Sequence, residues 1–401
     1  MSLTIDQIRD MMPGVIDTTY LNTGTCGPLP KIAYDAMVEE LGNDLTRARI
    51  NSEHFYRLFE LWGEARSEVA AVLHTDASNI AITNRTTDGM YVALMGYPWQ
   101  DRDELIITNI EHPGGLIPSF LARQRFNIRV KVADVKLGGQ SVEETVAAFE
   151  KQITPRTRMI ALSHVPYTTG ARLPVKEIVE MAHAHDVLVT VDAAQSYGAF
   201  DIDVHDLDVD FYACPGQKWF CGPDGTGALY VKPECLGEIN QNFAGMLEFT
   251  SLDYHGRTYQ PAPDASRFDT GGWSMVLLAG QIASTRWIRE EVGLDWAYER
   301  IDRLGGAAYD ALAEMDGVTM VTPRDNRAGL LAFTFDGVEP PDLTERLAED
   351  HNVTIRYVNK YINNPDAARV SVGFYNNEED IEKLMTGLEA VRSNLPEDAD
   401  S

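Results

Sequence analysis

Lys218 is the side chain with the clearest capacity for chemistry. It is one of nine lysines in a chain of 401 residues, and it lies in an apolar segment bracketed by Gly216 and Gly222 between two predicted strands. Because an ammonium group is costly to bury, desolvation there favours a neutral amine, which is a nucleophile toward carbonyl groups. Such an amine can form a Schiff base with pyridoxal 5'-phosphate (PLP). On spacing alone, a lysine in a surface loop explains the position equally well.

Asp192 and Gln195 follow the apolar run Val187–Val191, which is predicted to be a buried strand. A carboxylate at the end of such a strand needs a cation as its partner, and the protonated pyridine nitrogen of PLP is one. Gln195 can then donate a hydrogen bond to the ring oxygen. The alternatives for Asp192 are a helix cap or a pair with an arginine in the core.

Thr86, Thr87 and His112 come shortly after two other apolar runs. The threonines open a predicted helix, where unpaired amides and hydroxyls can bind a phosphate, although a threonine that only caps the helix is at least as common. His112 can stack on a flat ring, or it can be a structural histidine in a Pro-Gly-Gly turn. Ligands of open α/β sheets bind beyond the carboxyl ends of strands, so one site can collect all these residues.

The charge of the chain restricts its partners. Sixty-one Asp and Glu stand against 34 Lys and Arg, which gives a formal net charge of −27. The field of such a surface repels nucleic acid and anionic membranes, so we expect neither as a partner. The scarcity of lysine relative to arginine indicates adaptation to high salt, because ionic screening removes the self-repulsion of the acidic surface. The alternative is an ordinary acidic cytosolic enzyme.

Cysteine usage and the lack of a long apolar run predict a cytoplasmic protein without a metal site. His183 and His185 lie two residues apart on a predicted helix and point to different faces, which makes a metal pair improbable. The longest apolar run, near residues 275–283, is too short to span a membrane. The four cysteines show no Cys-x-x-Cys spacing and are expected to be reduced thiols: Cys26, Cys214, Cys221 and Cys235.

Seven apolar runs alternate with helical patterns between residues 78 and 232, which predicts an α/β domain with one seven-stranded, mostly parallel sheet. Helical stretches such as Val142–Gln152 and Val175–His185 fit the crossovers that keep strands parallel. The predicted strands are Asn79–Thr83, Glu104–Thr108, Ile128–Val132, Met159–Ser163, Val187–Val191, Val209–Ala213 and Gly227–Val231.

The pattern changes after Gly272, and a second, smaller α+β domain is predicted there. We expect the large domain to comprise residues 21–272 and the small domain to combine residues 1–20 with residues 273–401. The predicted elements of the small domain are helices Met275–Val292 and Leu294–Met315, strands Leu330–Phe335 and Ala368–Phe374, and a closing helix Glu378–Asn394.

Four motifs carry a resemblance to a known family: Asp192–Gln195 (DAAQ), Gln217-Lys218, Gly222–Gly227 (GPDGTG) and Arg369–Asp380 (RVSVGFYNNEED). With these motifs in the family's order, the chain resembles the class V aminotransferases. These are PLP enzymes of fold type I, and they include cysteine desulfurases and isopenicillin N epimerase-like proteins. The resemblance extends from Leu21 to the last helix, and it implies a homodimer with active sites at the interface.

The resemblance also implies a role for each matching residue. Lys218 forms the Schiff base and Asp192 pairs with the pyridine nitrogen. The remaining PLP contacts implied are Gln195 to the ring hydroxyl, His112 stacked on the ring, Thr86 and Thr87 at the phosphate, and Gln217 beside the lysine. Substrate binding is assigned to Arg369, which holds the carboxylate, and to Tyr167 and Asn22.

Two departures from the desulfurase pattern favour a lyase. Desulfurases carry a nucleophilic cysteine on a loop shortly before the motif that Arg369 matches, whereas this chain has no cysteine after Cys235. Tyr167 stands where many relatives have Asn, and an aromatic residue there is similar to the cystine C–S lyases of the family. The leading hypothesis is a C–S β-lyase acting on cysteine or cystine, with Lys218 as general base and pyruvate and ammonia as products.

Two other functions remain open. An aminotransferase or epimerase of the same family needs the same base and carboxylate clamp but no leaving group on Cβ. A scaffold that keeps only the fold needs neither. The presence of Lys218, Asp192 and Arg369 together argues against the scaffold.

Overall fold

The computed structural model describes residues 3–47, 49, 51–136, 140–271, 274–359 and 366–395. The helices are α1 (Ile5–Asp10), α2 (Lys31–Thr46), α3 (Ser52–Val72), α4 (Thr86–Gly96), α5 (Pro113–Phe126), α6 (Val142–Glu150), α7 (Val175–His183), α8 (Val204–Leu207), α9 (Met275–Trp287), α10 (Leu294–Glu314), α11 (Pro340–His351) and α12 (Glu378–Ser393). The strands are β1 (Thr19–Tyr20), β2 (Ile80–Thr83), β3 (Glu104–Thr108), β4 (Arg129–Ala133), β5 (Thr157–Ser163), β6 (Leu188–Asp192), β7 (Phe211–Pro215), β8 (Gly227–Val231), β9 (Phe249–Asp253), β10 (Thr258–Pro261), β11 (Val318–Met320), β12 (Leu330–Phe335), β13 (Val353–Thr354), β14 (Arg356–Val358) and β15 (Ala367–Ser371).

A seven-stranded sheet forms the centre of the fold, with strand order β2-β8-β7-β6-β5-β3-β4. The neighbours from β7 to β4 are parallel, while β8 runs antiparallel to both β2 and β7. The predicted seven-stranded, mostly parallel sheet is therefore confirmed. Because β2 and β7 are both antiparallel to β8, β2 points the same way as the parallel strands.

Both faces of this sheet are covered, which explains why its strands read as continuous apolar runs. Successive residues of β3 alternate between the two sides. Leu105 and Ile107 pack in the layer that contains residues of α4 and α5, and Ile106 packs in the opposite layer with residues of α3, α7 and α9. Each such isoleucine or leucine contributes about 1.5–3 kcal/mol by leaving water.

Four strands from β11 onward build a second sheet with strand order β11-β12-β15-β14, all antiparallel. Helices α10, α11 and α12 pack on it around an apolar core. The N-terminal segment joins this region, because β1 pairs with β13 and Arg9 forms an ion pair of 2.9 Å with Asp380. The predicted domain boundary between residues 272 and 273 lies outside the described residues.

Two features were not anticipated. Strands β9 and β10 form an antiparallel hairpin with mostly exposed residues. Helix α9 packs on α2 and α3 and shares the core of the large sheet, and a π-helical turn, Ile288–Gly293, joins it to α10. No helix within the described ranges combines the length and apolarity needed to cross a membrane.

The direction of the strands decides where a site can form. Strands β2, β3, β5, β6 and β7 all finish at one edge of the sheet. The last residues of these strands and the segments that follow them carry every large-domain residue, apart from Asn22, that the sequence marked as a candidate for cofactor or substrate binding. Ligand sites of open α/β sheets lie at this edge.

Candidate active site

A cavity of about 350 Å³ lies at the carboxyl edge of the sheet, between it and strands β14 and β15 of the second sheet. The sequence-predicted residues that line it are Thr86, Thr87, His112, Tyr167, Asp192, Gln195, Gln217, Lys218 and Arg369. Asn22 is not part of the lining. The structure therefore brings together nine of the ten candidates. Asn22 lies behind Arg369, from which it accepts a hydrogen bond.

Lys218 lies on the loop after β7, partly accessible from the cavity. The loop is held from behind, because the Gly27 N–H donates to the Gln217 carbonyl at 2.7 Å. A Cβ at position 27 would lie 2.2 Å from the Lys218 carbonyl oxygen, so only glycine permits this approach. Within the described ranges, no hydrogen bond or ion pair joins the Lys218 amine to another side chain.

The protein environment makes the Lys218 amine easier to deprotonate. Desolvation lowers the pKa of Lys218 to about 8, and the nearby Asp192 carboxylate opposes this change. A substantial fraction of neutral amine is therefore present near neutral pH. This is the state that can attack a carbonyl group or accept a proton.

Asp192 is the last residue of β6, and it is only 3% exposed. Its Oδ1 accepts a hydrogen bond of 2.9 Å from the Ala194 N–H, which fixes the carboxylate at the cavity wall. Gln195 is also buried, with its Nε2 donating to the Gly24 carbonyl at 2.8 Å and its Oε1 accepting from Trp219 at 3.2 Å. One alternative for Asp192 was a pair with an arginine in the core. No arginine is paired with Asp192 among the described residues.

His112 begins helix α5 and is oriented by that role. Its Nδ1 accepts from the Gly114 N–H at 2.9 Å, and Pro113 occupies the first helical position. The ring meets Tyr167 edge to face, with 4.8 Å between ring centroids. The cavity leaves the ring accessible, but the surrounding walls desolvate the imidazolium and lower the pKa of His112, while Asp192 acts in the opposite direction. A neutral ring is suited to stacking.

The N-terminus of α4 provides an anion-binding feature. Thr86 and Thr87 are its first residues, and the N-cap residue Arg85 supplies no side-chain cap to the free amides. Gln217 nearby has a buried Oε1 with no hydrogen-bond partner among the described residues. An uncapped helix N-terminus, an unpaired amine and a buried carboxylate match the phosphate, aldehyde and pyridine nitrogen of PLP, so the residues present fit this cofactor.

Arg369 is a buried cation without a carboxylate partner in the described part of the chain. It is 2% exposed, and one Nη2 donates to Thr25 Oγ1 at 2.7 Å and to Asn22 Oδ1 at 3.3 Å. Its Nε is buried and has no hydrogen-bond partner. Burial and the neighbouring Arg356 lower the pKa of Arg369 to about 10. A guanidinium held in this way is prepared for an external carboxylate.

Sequence reasoning missed Arg356 and Thr25. Arg356 lies on β14 directly opposite Arg369 on β15, and its exposed side chain lines the cavity. The strand that carries it has only three residues, too few to be recognised from its sequence pattern. Thr25 holds Arg369 and could only be identified once the chain was folded. Within the described residues, no group of three or more His, Cys, Asp or Glu side chains is arranged to hold a metal ion.

Comparison with known proteins gives consistent matches over nearly the whole chain. Residues 19–384 match the family model described as Aminotransferase class-V. The chain is 31% identical to a probable cysteine desulfurase of Halalkalibacterium halodurans, over 82% of this chain and 81% of that protein. It is 28% identical to cysteine desulfurase CsdA of Escherichia coli, over 96% of each.

Among solved structures, the fold matches a mutant of C-DES with glycine covalently linked to the PLP cofactor. The TM-score is 0.88 at 28% identity, and the match covers 95% of this chain and 98% of that chain. A complex between the cystine C–S lyase C-DES and its reaction product cysteine persulfide matches with a TM-score of 0.87 at 28% identity, over 94% of this chain and 98% of that one.

Proposed function

The chain belongs to the aminotransferase class V family, and we propose that it is a PLP-dependent C–S β-lyase acting on cystine-type amino acids. The products are pyruvate, ammonia and a sulfur-containing fragment. The observation that carries the proposal is the arrangement of Lys218, Asp192 and Arg369 around one cavity at the sheet edge. The fold is that of fold type I PLP enzymes, as the resemblance predicted.

We propose that each functional group of the cofactor has a partner among the residues of the cavity. We assign the aldehyde to Lys218, the pyridine nitrogen to Asp192, and the phosphate to the amides of Thr86 and Thr87 with Gln217 beside them. His112 stacks on the ring and Gln195 contacts its hydroxyl. When bound, PLP supplies an electron sink that stabilises negative charge at the substrate Cα.

We also propose the division into a large domain of residues 21–272 and a small domain of residues 1–20 and 273–401.

We assign substrate binding to Arg369 and proton transfer to Lys218. Arg369 binds the α-carboxylate, which supplies the missing anion for its buried guanidinium. This orients the amino acid so that its Cα hydrogen points toward the Lys218 amine. With a pKa near 8, that amine takes up the Cα proton and can later return one. Loss of the sulfur substituent from Cβ then follows from charge developed at Cα.

The cysteines favour a lyase over a desulfurase. Cys214, Cys221 and Cys235 are buried, and Cys26 is the only partly exposed thiol. Burial and the adjacent Asp224 raise the pKa of Cys26, which suppresses the thiolate that would accept a sulfur atom. The sulfur therefore leaves with the departing fragment of the substrate.

The second guanidinium at the cavity favours a substrate with two carboxylates. Arg369 accounts for one carboxylate, and Arg356 lies beside it on the neighbouring strand, exposed at the mouth of the cavity. Two adjacent cations repel one another unless anions lie between or beside them. Cystine carries two α-carboxylates, whereas cysteine carries one. The lining residue Tyr167 supplies an aromatic wall for the intervening disulfide.

The first prediction concerns turnover. Purified protein loaded with PLP should release pyruvate from cystine, more slowly from cysteine, and not from alanine, which has no leaving group. Lys218→Ala should lose the visible absorption of the bound cofactor and at least 1000-fold of the activity, because both the covalent link and the base are removed. Pyruvate is measured by a coupled dehydrogenase assay.

Borohydride reduction followed by peptide mapping locates the cofactor independently of turnover. A label on the peptide containing Lys218 supports the assignment, and a label elsewhere contradicts it. If cystine gives no pyruvate but alanine is racemised, the protein is an epimerase. Conversion of the cofactor to its amine form identifies an aminotransferase. Absence of both cofactor binding and turnover identifies a scaffold.

The second prediction tests the second carboxylate. Arg356→Gln should raise the KM for cystine about threefold to tenfold, because an exposed charge pair contributes on the order of 1 kcal/mol. The KM for cysteine should change less than twofold. Arg324→Gln is the matched control, since Arg324 is an exposed arginine that pairs with Asp310 away from the cavity. Equal effects of Arg356→Gln on both substrates would contradict the two-carboxylate assignment.

We also propose a homodimer, which the exposed face of helix α2 supports. Tyr34, Val38, Leu41 and Leu45 are 57%, 47%, 59% and 86% exposed, and their spacing places them on one side of the helix. A contiguous apolar face of this kind marks an interaction surface. Helix α2 begins shortly after Gly24 and Thr25, which line the cavity, so an interface on α2 would lie close to the site.

The third prediction is that Leu41→Glu converts the dimer to a monomer at micromolar concentration. The buried carboxylate would meet an apolar surface without a partner, which is costly. Light scattering coupled to gel filtration gives the mass. Val132→Glu is the control, because Val132 is 41% exposed on the edge strand β4 at the far end of the sheet. A dimer that survives Leu41→Glu places the interface elsewhere.

Finally, we propose a cytoplasmic protein of a high-salt environment. The four free cysteines are consistent with a reducing compartment. The net charge of −27 supports the salt adaptation, since the repulsion among surface carboxylates extends over about 10 Å at 0.1 M salt but only about 3 Å at 1 M.

The fourth prediction is that the midpoint of urea unfolding rises as KCl is increased from 0.05 M to 1 M. Screening should relieve the repulsion more than it weakens individual ion pairs, because acidic residues are in large excess. Sucrose at matched osmolality is the control, since it leaves the charges unscreened. Equal stability at both salt concentrations would count against the proposal.

A further inference from the structure

Glu111 is a buried carboxylate that the roles assigned above leave unused. It is 3% exposed, lies between β3 and α5, and directly precedes His112 in the chain. Its Oε1 accepts from Thr108 Oγ1 at 2.5 Å, and its Oε2 accepts from Ser163 Oγ at 2.7 Å. Two hydroxyls thus hold the carboxylate in one orientation behind the wall of the cavity.

A short path connects Glu111 to the carboxylate proposed to hold the ring nitrogen. Ser163, which donates to Glu111, is the last residue of β5 and is paired in register with Asp192 on β6. Ser163 is therefore the single residue that links Glu111 to Asp192, through a hydrogen bond to the first and strand pairing with the second. On its other side the chain continues directly into His112, the residue proposed to stack on the ring.

The charges around Glu111 are unusual for a buried acid. Its contacts on β3 and β5 are the neutral hydroxyls of Thr108 and Ser163, and the charged group on β6 that acts on it is Asp192. The next residue in the chain, His112, is the N-cap of α5, and its own pKa is lowered. No arginine or lysine forms an ion pair with Glu111 within the described part of the chain. Burial and Asp192 raise the pKa of Glu111 to about 7.

We propose that Glu111 is a positioning residue whose charge, acting through Asp192, sets how firmly the site retains a proton on the bound cofactor. The inference rests on the proposed function, because it assumes that Asp192 faces the cofactor nitrogen. A neutral Glu111 leaves Asp192 as the single anion behind the ring. An ionised Glu111 adds a second anion behind the first, and protons on the cofactor are then held more tightly.

The pKa of Glu111 determines how its effect on the cofactor proton changes with pH. Below about pH 6 Glu111 is protonated and contributes no charge. Above about pH 7 it ionises, so it supplies negative charge in the range where the cofactor would otherwise lose protons. Glu111 therefore extends the range of pH over which the protonated cofactor persists.

The fifth prediction compares wild-type holoenzyme with Glu111→Gln, which retains the shape and most of the hydrogen bonding. The visible absorption of bound PLP is titrated from pH 5 to pH 9. The two curves should coincide below pH 6 and separate above pH 7, with the variant losing the protonated form about 0.5–1 pH unit earlier. A unit charge at about 10 Å inside a protein produces a shift of this order.

Glu104→Gln is the matched control. Glu104 is also buried and lies at the opposite end of β3, where it pairs with Lys131 at 3.2 Å. Its loss removes the same charge far from the cavity and should leave the absorption titration unchanged. Superimposable curves for wild type and Glu111→Gln would overturn the proposal, and so would an equal shift in both variants.

A second readout does not need the cofactor. A carboxyl group with a raised pKa in the folded state binds its proton more tightly than in the unfolded chain, so it makes stability fall as pH rises from about 4.5 to 7. Urea unfolding of the apoprotein should show this fall in wild type and a smaller one in Glu111→Gln. Equal pH dependence would show that Glu111 does not titrate as proposed, whereas failure of wild type to bind PLP would contradict the proposed function instead.

Should Glu111→Gln fail to fold, Ser163→Ala tests the same arrangement. Removal of this hydroxyl takes away a hydrogen bond to the ionised carboxylate, so Glu111 would ionise later and supply less negative charge near neutral pH. The absorption change of the holoenzyme should therefore move to lower pH, in the same direction as in Glu111→Gln. An absorption titration of Ser163→Ala identical to that of wild type would overturn the proposal.

Discussion

The chemistry of the site depends on keeping the amine of Lys218 desolvated and without a bonded anion. The protein achieves this by placing the loop after β7 against the backbone of Gly27, where the Lys218 carbonyl leaves no space for a side chain. Asp192 lies close enough to act on the amine but is oriented by the Ala194 N–H and does not bind it. If Asp192 formed an ion pair with Lys218, the amine would stay charged and lose its reactivity. The separation of these two groups is therefore what the surrounding strands must preserve.

The sequence predicted the seven-stranded sheet well because local rules governed it. Buried strands in a mostly parallel sheet have apolar runs of recognisable length, and the residues after those runs must meet at one edge. The sequence could not predict pairings between distant segments. Asn22 was expected to bind substrate, but it supports Arg369 instead of lining the cavity, a contact that requires the N-terminal segment to reach β15. Arg356 was missed because a three-residue strand has too little pattern to identify it, and the hairpin β9–β10 was missed because its exposed residues lack alternation.

The carboxylate clamp proposed at Arg369 depends on both parts of the molecule. Arg369 comes from the antiparallel sheet, yet the groups that hold its guanidinium, Thr25 and Asn22, belong to the segment that leads into α2. Thr23 strengthens this junction by donating to the Ser371 carbonyl at 3.1 Å. A change in the relative position of the two sheets would therefore move the clamp away from Lys218. The distance between the carboxylate site and the base is a property of this junction and of neither sheet alone.

The site carries positive charge within a strongly acidic protein. Three arginines line the cavity, Arg85, Arg356 and Arg369, while the chain as a whole has a net charge of −27. At low ionic strength the acidic outer surface repels the carboxylates of an approaching amino acid, and the cationic residues of the cavity attract them only at short range. In concentrated salt the outer field disappears within a few ångströms, but a buried guanidinium is screened much less. Arg369 is only 2% exposed, so the carboxylate recognition proposed for it would persist where surface electrostatics do not. The proposed selectivity for amino acids would then lie in the interior of the cavity.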